Sequence, residues 1–168
     1  MQTVNKKPSI LILAVFFFLG LMADQQAMAA TLVPHFTLQS AKDGTMIDSA
    51  GYNGKVMLVT FFATWCAPCR AEVPALIQLQ KEYTPRGFSV VGISVDQSGR
   101  DEVSRFIAKN GINYPVVMAN DQVTKDFKGI WGIPVSFLVD RAGQIRKRYE
   151  GYVEQEIYQK DIGELLAR

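Results

Sequence analysis

The chain has 168 residues, a formal net charge of +2, one histidine and two cysteines. Charge this close to balance leaves no electrostatic footprint for nucleic acid or for an acidic partner. A zinc site needs about four ligands, and a lone histidine with two cysteines does not supply them.

The chain opens with Lys6 and Lys7, an apolar run from Ile10 to Ala23, then Asp24-Gln25-Gln26 and Ala27-Met28-Ala29. Basic, apolar, then small-x-small is the order of a secretory signal peptide. Residues 1–29 are therefore read as a signal peptide cut after Ala29, and 30–168 as a single domain. Retention as a membrane anchor is the alternative, although the run is shorter than the roughly 20 apolar residues that span a bilayer. No cysteine lies near the cut, so lipid attachment there is not available. About 140 residues then remain, enough for an ordinary hydrophobic core without stabilising disulfides.

Val33-Pro34-His35-Phe36 leads into two short strand signals, Phe36-Thr37-Leu38 and Met46-Ile47, around Lys42-Asp43-Gly44-Thr45, which reads as a hairpin. His35 is expected on the surface. Gly51-Tyr52-Asn53-Gly54 turns into Val56–Phe62, a β-branched and apolar run of strand length.

Trp65-Cys66-Ala67-Pro68-Cys69 follows at once and holds both cysteines. Arg70 to Leu76 then reads as helix, so the pair sits where a strand turns into a helix N-terminus. Unpaired N–H groups and the positive end of the helix dipole favour an anion there. A free thiol has a pKa near ~8.5, and this position lowers it. Cys66 is expected at the cap beside the exposed turn, as the attacking thiol. Cys69, inside the first turn, is expected to be shielded and to act as the resolving thiol. Pro68 suits the first turn, where its missing N–H costs nothing. A structural bridge across two residues closes too small a loop to stabilise much. Haem attachment requires a histidine where Arg70 stands.

The helix is expected to run to about Tyr83, with Val73, Leu76, Ile77 and Leu79 buried and a kink at Pro74. Phe88 to Val95 is a nearly continuous apolar run, as in a parallel strand covered on both faces, and Asp96 follows it. Ser98-Gly99-Arg100-Asp101 resembles a capping box, opening a helix that Asn110-Gly111 stops. Pro115–Met118 is a short strand, and Val123 and Phe127 mark a weaker helix. Gly129-Ile130-Trp131-Gly132-Ile133-Pro134 leads into the strand Val135–Val139. Gln144 to Glu150 is a last strand dense in Arg146, Lys147 and Arg148, a pattern that blocks edge-to-edge pairing. A final helix from about Glu154 buries Tyr158, Ile162, Leu165 and Leu166. Together these predict an α/β domain with a central mixed β-sheet and helices on both faces.

Residues 31–168 resemble the thioredoxin superfamily and, within it, the exported TlpA/ResA-type thiol–disulfide reductases. Val59-Thr60-Phe61-Phe62-Ala63-Thr64-Trp65-Cys66-Ala67-Pro68-Cys69 carries the resemblance, with Pro74, the strand ending Val95-Asp96, and Gly132–Asp140. It implies a thioredoxin-like fold with an N-terminal hairpin and a helix–strand insertion at about residues 98–118. It implies a cis Pro134 against the cysteine pair, and Glu72 as the acidic residue that tunes the thiols and handles protons. It also implies that Trp65 flanks and shelters the reactive sulfur. Substrate contact is expected at Trp65, Ala67, Pro68, Ile133 and Pro134. Thr60 departs from thioredoxin, which has a buried aspartate there, and Val135-Ser136 departs from the usual two threonines.

The implied activity is thiol–disulfide exchange on protein substrates through Cys66 and Cys69, with no cofactor beyond that redox-active disulfide and no metal. The leading reading is a reductant, with apocytochrome c as one target class, recharged by a membrane electron donor in the periplasm or at the outer face of the cytoplasmic membrane. The alternatives are a disulfide-forming oxidant with the same residues, a copper chaperone using both thiolates, and, last, a peroxidase.

Overall fold

The computed structural model describes residues 31–167; the expected signal peptide lies outside the described residues. Strands β1 (Thr37–Gln39) and β2 (Met46–Asp48) form the anticipated hairpin, with Leu38 opposite Ile47. Its turn is tied by the Asp43 carboxyl, which accepts the Thr45 N–H at 3.1 Å and the Thr45 hydroxyl at 2.8 Å. Gly44 follows at φ +78°, a conformation open to glycine at no steric cost.

The main sheet has the order β5-β4-β3-β6-β7. Its middle strand is β3 (Val56–Phe62), every residue of which is buried. β4 (Phe88–Ser94) lies parallel to β3, and β5 (Val116–Met118) lies parallel to β4. On the other side β6 (Val135–Val139) and β7 (Ile145–Glu150) run antiparallel. β3 reads as an unbroken apolar run because both its faces are covered. Val56, Leu58 and Phe62 join a cluster with Leu76 and Leu79 of α1 (Ala67–Tyr83), Val103 and Ile107 of α2 (Arg100–Asn110), and Tyr158 and Ile162 of α4 (Gln155–Leu166). Met57, Val59 and Phe61 face the other way, toward Phe36, Leu38 and α3 (Asp121–Asp126) with its cap Phe127. There the rings of Phe61 and Phe137 meet that of Phe127 edge-on, with centroids 5.0 and 5.1 Å away, a favoured aromatic geometry.

Both outer edges of the sheet are protected. The Ala41 N–H donates to Val116 O at 2.8 Å, so the hairpin covers β5. Thr31–Val33 covers the start of β7, with the Val33 N–H on Gly143 O and the Ile145 N–H on Thr31 O. The basic residues of β7 serve as internal ties as well as edge charges. Lys147 binds Asp161 of α4, and Arg148 binds the carbonyls of Lys128 and Gly129.

The capping box expected at Ser98 does not form. Gly99 is the N-cap of α2, at φ +89° with no side-chain hydrogen bond. Ser98 falls one position too early to reach the first free N–H groups, and Asp101 and Glu102 in the first turn meet the helix dipole instead. α1 continues through Pro74 to Tyr83, and Ile77 is only half-buried.

Candidate active site

β3 delivers the chain to the site and α1 carries it away. Ala63 and Thr64 make the connection, and Asp96, just beyond β4, fixes it. The Asp96 carboxyl accepts the Thr64 N–H at 3.0 Å, the Thr64 hydroxyl at 2.6 Å and the Ser94 hydroxyl at 2.7 Å. Thr64 is thereby pinned two residues ahead of Cys66. The position of Asp96 at a strand end was legible in the sequence. Its partner, 32 residues away, was not.

Cys66 is the N-cap of α1, and Ala67 and Pro68 begin the helix, both exposed. Cys66 and Cys69 are joined by a disulfide, with sulfurs 2.04 Å apart. The Cys69 N–H donates to Cys66 Sγ at 3.3 Å, so a free α1 N–H is aimed at the sulfur that becomes a thiolate on reduction. The carbonyl oxygen of Ile133 lies 3.8 Å from the same sulfur, and the Ile133–Pro134 peptide bond is cis. The sequence placed Cys66 beside an exposed turn, yet it is only 5% exposed against 3% for Cys69. Exposure does not separate the two sulfurs; the helix-cap hydrogen bond does. Trp65 is 66% exposed and presents most of its ring to solvent. The enclosure of Cys66 comes from the apolar cluster it shares with Ala63, Cys69 and Val153.

Glu72 follows Cys69 by one turn on the same face of α1. It is 1% exposed. Its Oε1 accepts the Val153 N–H at 2.8 Å and the Tyr158 hydroxyl at 3.3 Å. Burial pushes its carboxyl up to about 7, against the lowering effect of those two hydrogen bonds. Burial and the nearby Glu72 push the Tyr158 phenol up as well. On the same face, Thr60 and Ser136 stand opposite one another in β3 and β6, and the Ser136 hydroxyl donates to Thr60 Oγ1 at 2.9 Å. The hydroxyl of Thr60 is thus committed across the sheet; Asp96 is committed to Thr64 and Ser94, while Glu72 is the buried carboxyl on the helix face of Cys69. Val153 and Tyr158 lie more than 80 residues from Glu72, beyond the reach of local sequence patterns.

His35 stands apart, bonded to Asp48 at 2.8 Å in the hairpin region. No group of three or more His, Cys, Asp and Glu side chains among the described residues is arranged to hold a metal ion.

Comparison with known proteins places this geometry. The redoxin family model matches residues 28–166. The thiol:disulfide interchange protein HelX of Rhodobacter capsulatus is 32% identical, over 94% of this chain and 93% of its own. The thiol-disulfide oxidoreductase ResA of Bacillus subtilis is 28% identical, over 74% of this chain and 68% of its own. The crystal structure of a thioredoxin-family thiol:disulfide interchange protein from Chlorobium tepidum superposes with a TM-score of 0.76 at 36% identity, over 82% of this chain and 97% of that one. With this disulfide at the cap of this helix, and a match that runs almost end to end, the chain belongs to the redoxin family, as a thioredoxin-fold thiol–disulfide oxidoreductase of the TlpA/ResA type.

Proposed function

We propose that the protein is a reductant of disulfides in exported proteins, with Cys66 as the attacking sulfur. The hydrogen bond from the Cys69 N–H to Cys66 Sγ, at 3.3 Å, carries the assignment of Cys66 as the attacking sulfur, because it stabilises a negative charge there; the direction rests on the surrounding charges. In the dithiol form the Cys66 thiolate attacks one sulfur of the substrate disulfide. A Cys66–substrate bond forms, and the other substrate sulfur leaves as a thiolate. Cys69 then loses its proton and attacks Cys66 Sγ. The second substrate thiolate departs, and the Cys66–Cys69 disulfide remains. Two electrons have passed to the substrate, whose thiolates take up two protons. Glu72, poised near neutrality, takes the proton from Cys69.

The electrostatics favour the reducing direction. Strong oxidants owe their potential to a stabilised reduced form. Here the residues between the cysteines, Ala67 and Pro68, are uncharged, and an ionised Glu72 opposes a thiolate on Cys69, one turn away, so the reduced pair gains little from its side-chain surroundings. The backbone cap is left as the main stabiliser of the Cys66 thiolate. Trp65, Ala67, Pro68, Ile133 and Pro134 border the approach to it. A reductant in an oxidising compartment needs a supply of electrons, and a membrane-embedded thiol donor fits that role. An apolar leader with the order of a signal peptide supports export to the periplasm or the outer face of the cytoplasmic membrane. The relatives named HelX and ResA are an interchange protein and an oxidoreductase by name, and apocytochrome c, whose haem-binding cysteines must be reduced, is the proposed target class.

The deciding experiment is equilibration of the protein in graded thiol–disulfide buffers. A potential near that of thioredoxin, about −270 mV, is expected. A value near about −120 mV would make the protein an oxidant that donates its disulfide and would overturn the direction proposed.

A further inference from the structure

The loop between α3 and β6 is held more firmly than a connection requires. Lys128 has φ +46° and is the one non-glycine residue with positive φ among those described; Gly129 follows at +86°. A left-handed non-glycine residue is strained and persists where the surroundings enforce it. The enforcing group is Arg148 of β7. Its guanidinium donates to Lys128 O at 3.0 Å and to Gly129 O at 2.8 Å, lies 5.5 Å over the Phe137 ring, and pairs with Glu150 at 3.0 Å. This fork captures both carbonyls of the left-handed pair, which a point-charge ammonium does not do.

The held loop displays Trp131. A Cβ on Gly129 would stand 2.8 Å from Trp131 Nε1, so the indole rests where only glycine leaves room. The side chain is nevertheless 95% exposed. A tryptophan given to solvent contributes little to a core, and rigid exposed tryptophans concentrate binding energy at interfaces. Trp131 lies two residues before Ile133, whose carbonyl oxygen is 3.8 Å from Cys66 Sγ. With Pro134 and Val135 it borders a cavity of about 200 Å³, at whose rim Arg148 and Glu150 neutralise one another. The cavity is close to the size of one large side chain and has no net charge with which to select a charged one.

We propose that Trp131 is a specificity-determining residue of the exchange reaction and that Arg148 positions it. The occupant is an extended, cysteine-containing polypeptide segment with an aromatic or large aliphatic residue beside its reacting cysteine. A substrate sulfur that reaches Cys66 draws its neighbours across Ile133 and Pro134, and the adjacent side chain meets the indole and the cavity. The inference rests on Cys66 as the attacking sulfur.

The test uses two disulfide-linked peptides that differ only in having phenylalanine or serine beside the cysteine. The full chain, re-reduced after each cycle by an added small dithiol whose direct reaction with the peptides is subtracted, turns each over, and the ratio of their kcat/KM values is compared across variants. Wild type is expected to prefer the phenylalanine peptide, chiefly through KM. Trp131→Ala is expected to lower that preference about tenfold, and Trp131→Phe to retain most of it. Arg148→Ala is expected to lower it several-fold, and Arg148→Lys not to restore it. A purely structural role of Arg148 would depress both rates together and leave the ratio alone. Turnover of both peptides without a preference in wild type, or with one that Trp131→Ala retains, overturns this inference and leaves the oxidoreductase reading standing. Turnover of neither peptide overturns both.

Discussion

Among the described residues, the hydrogen-bond donors to the Glu72 carboxyl are a backbone amide and a phenol. It stays near half-protonated at neutral pH because burial lifts it to about 7. Glu72→Gln keeps an oxygen for both donors but cannot exchange a proton. The expected result is slower resolution of the mixed disulfide by Cys69, of order 100-fold, with the pH dependence around neutrality lost and Cys66 still able to form the mixed species. Rapid acid-quench trapping of that species across pH 5–9 measures it, and an unaltered pH profile would remove Glu72 from the proton pathway. Asp96 acts through backbone geometry instead. Asp96→Ala strips the acceptor from the Thr64 N–H and from two hydroxyls, at an expected cost of about 2–3 kcal/mol in urea unfolding. Cys66 would lose its fixed approach to the helix cap, so exchange should slow as well. Neither role follows from the residue's own neighbourhood in the chain. The sequence offered a glutamate one turn after a cysteine and an aspartate after a strand; the amides and hydroxyls that give them meaning arrive from other elements.

Elements were legible where their cause is local. Val56–Phe62 announces a doubly covered strand, Asp43-Gly44 announces its turn, and the cysteine pair announces a helix start because strand and helix signals abut there. Misreadings occurred where a cap depends on one residue's placement, as at Ser98-Gly99, or where burial depends on what packs above. Ile77 is an example of the latter, half-buried where its spacing predicts a core position. The tie between β7 and α4 leaves no local signal at all, because it joins elements distant in the chain. Asp161 lies on the face of α4 that bears Tyr158 and Ile162, and it is buried against Lys147 and Tyr149 of β7. Burial alone would raise its carboxyl, but the Lys147 ammonium and the Tyr149 hydroxyl, 2.6 Å from Oδ2, outweigh that and hold it below the ordinary value. Tyr149→Phe should destabilise the protein by about 1–2 kcal/mol at neutral pH, because it leaves a buried oxygen short of a donor. Chemical denaturation reads this directly, and no change would mean that water replaces the phenol. β7 therefore does two things with its charge: Lys147 fastens a helix, and Arg148 fastens a loop.

For the whole molecule, two buried carboxyls pull the stability curve in opposite directions. The folded state raises Glu72 from 4.5 to about 7. Its contribution is fully present below pH ~4.5 and is lost as pH rises through the folded value, at about 3 kcal/mol in all. The folded state lowers Asp161, so its contribution is present above the ordinary aspartate value and is lost as pH falls through the lower folded one. The two together predict greatest stability near pH 4–5, with a decline toward neutrality that Glu72→Gln flattens. Urea titrations from pH 3 to 8 would show it, and a maximum at or above pH 7 in the wild type would contradict it. β6 runs from Val135, just after Pro134 and the disulfide, to Val139, and Thr31–Val33 is stitched on beyond its far end, next to Gly143 and Ile145. The polypeptide thus comes into the domain about 15 Å or more from the reactive sulfur, at the opposite end of a strand. The domain has a working end at the disulfide and an entry end at Thr31, so the segment that enters the fold leaves the approach to Cys66 clear.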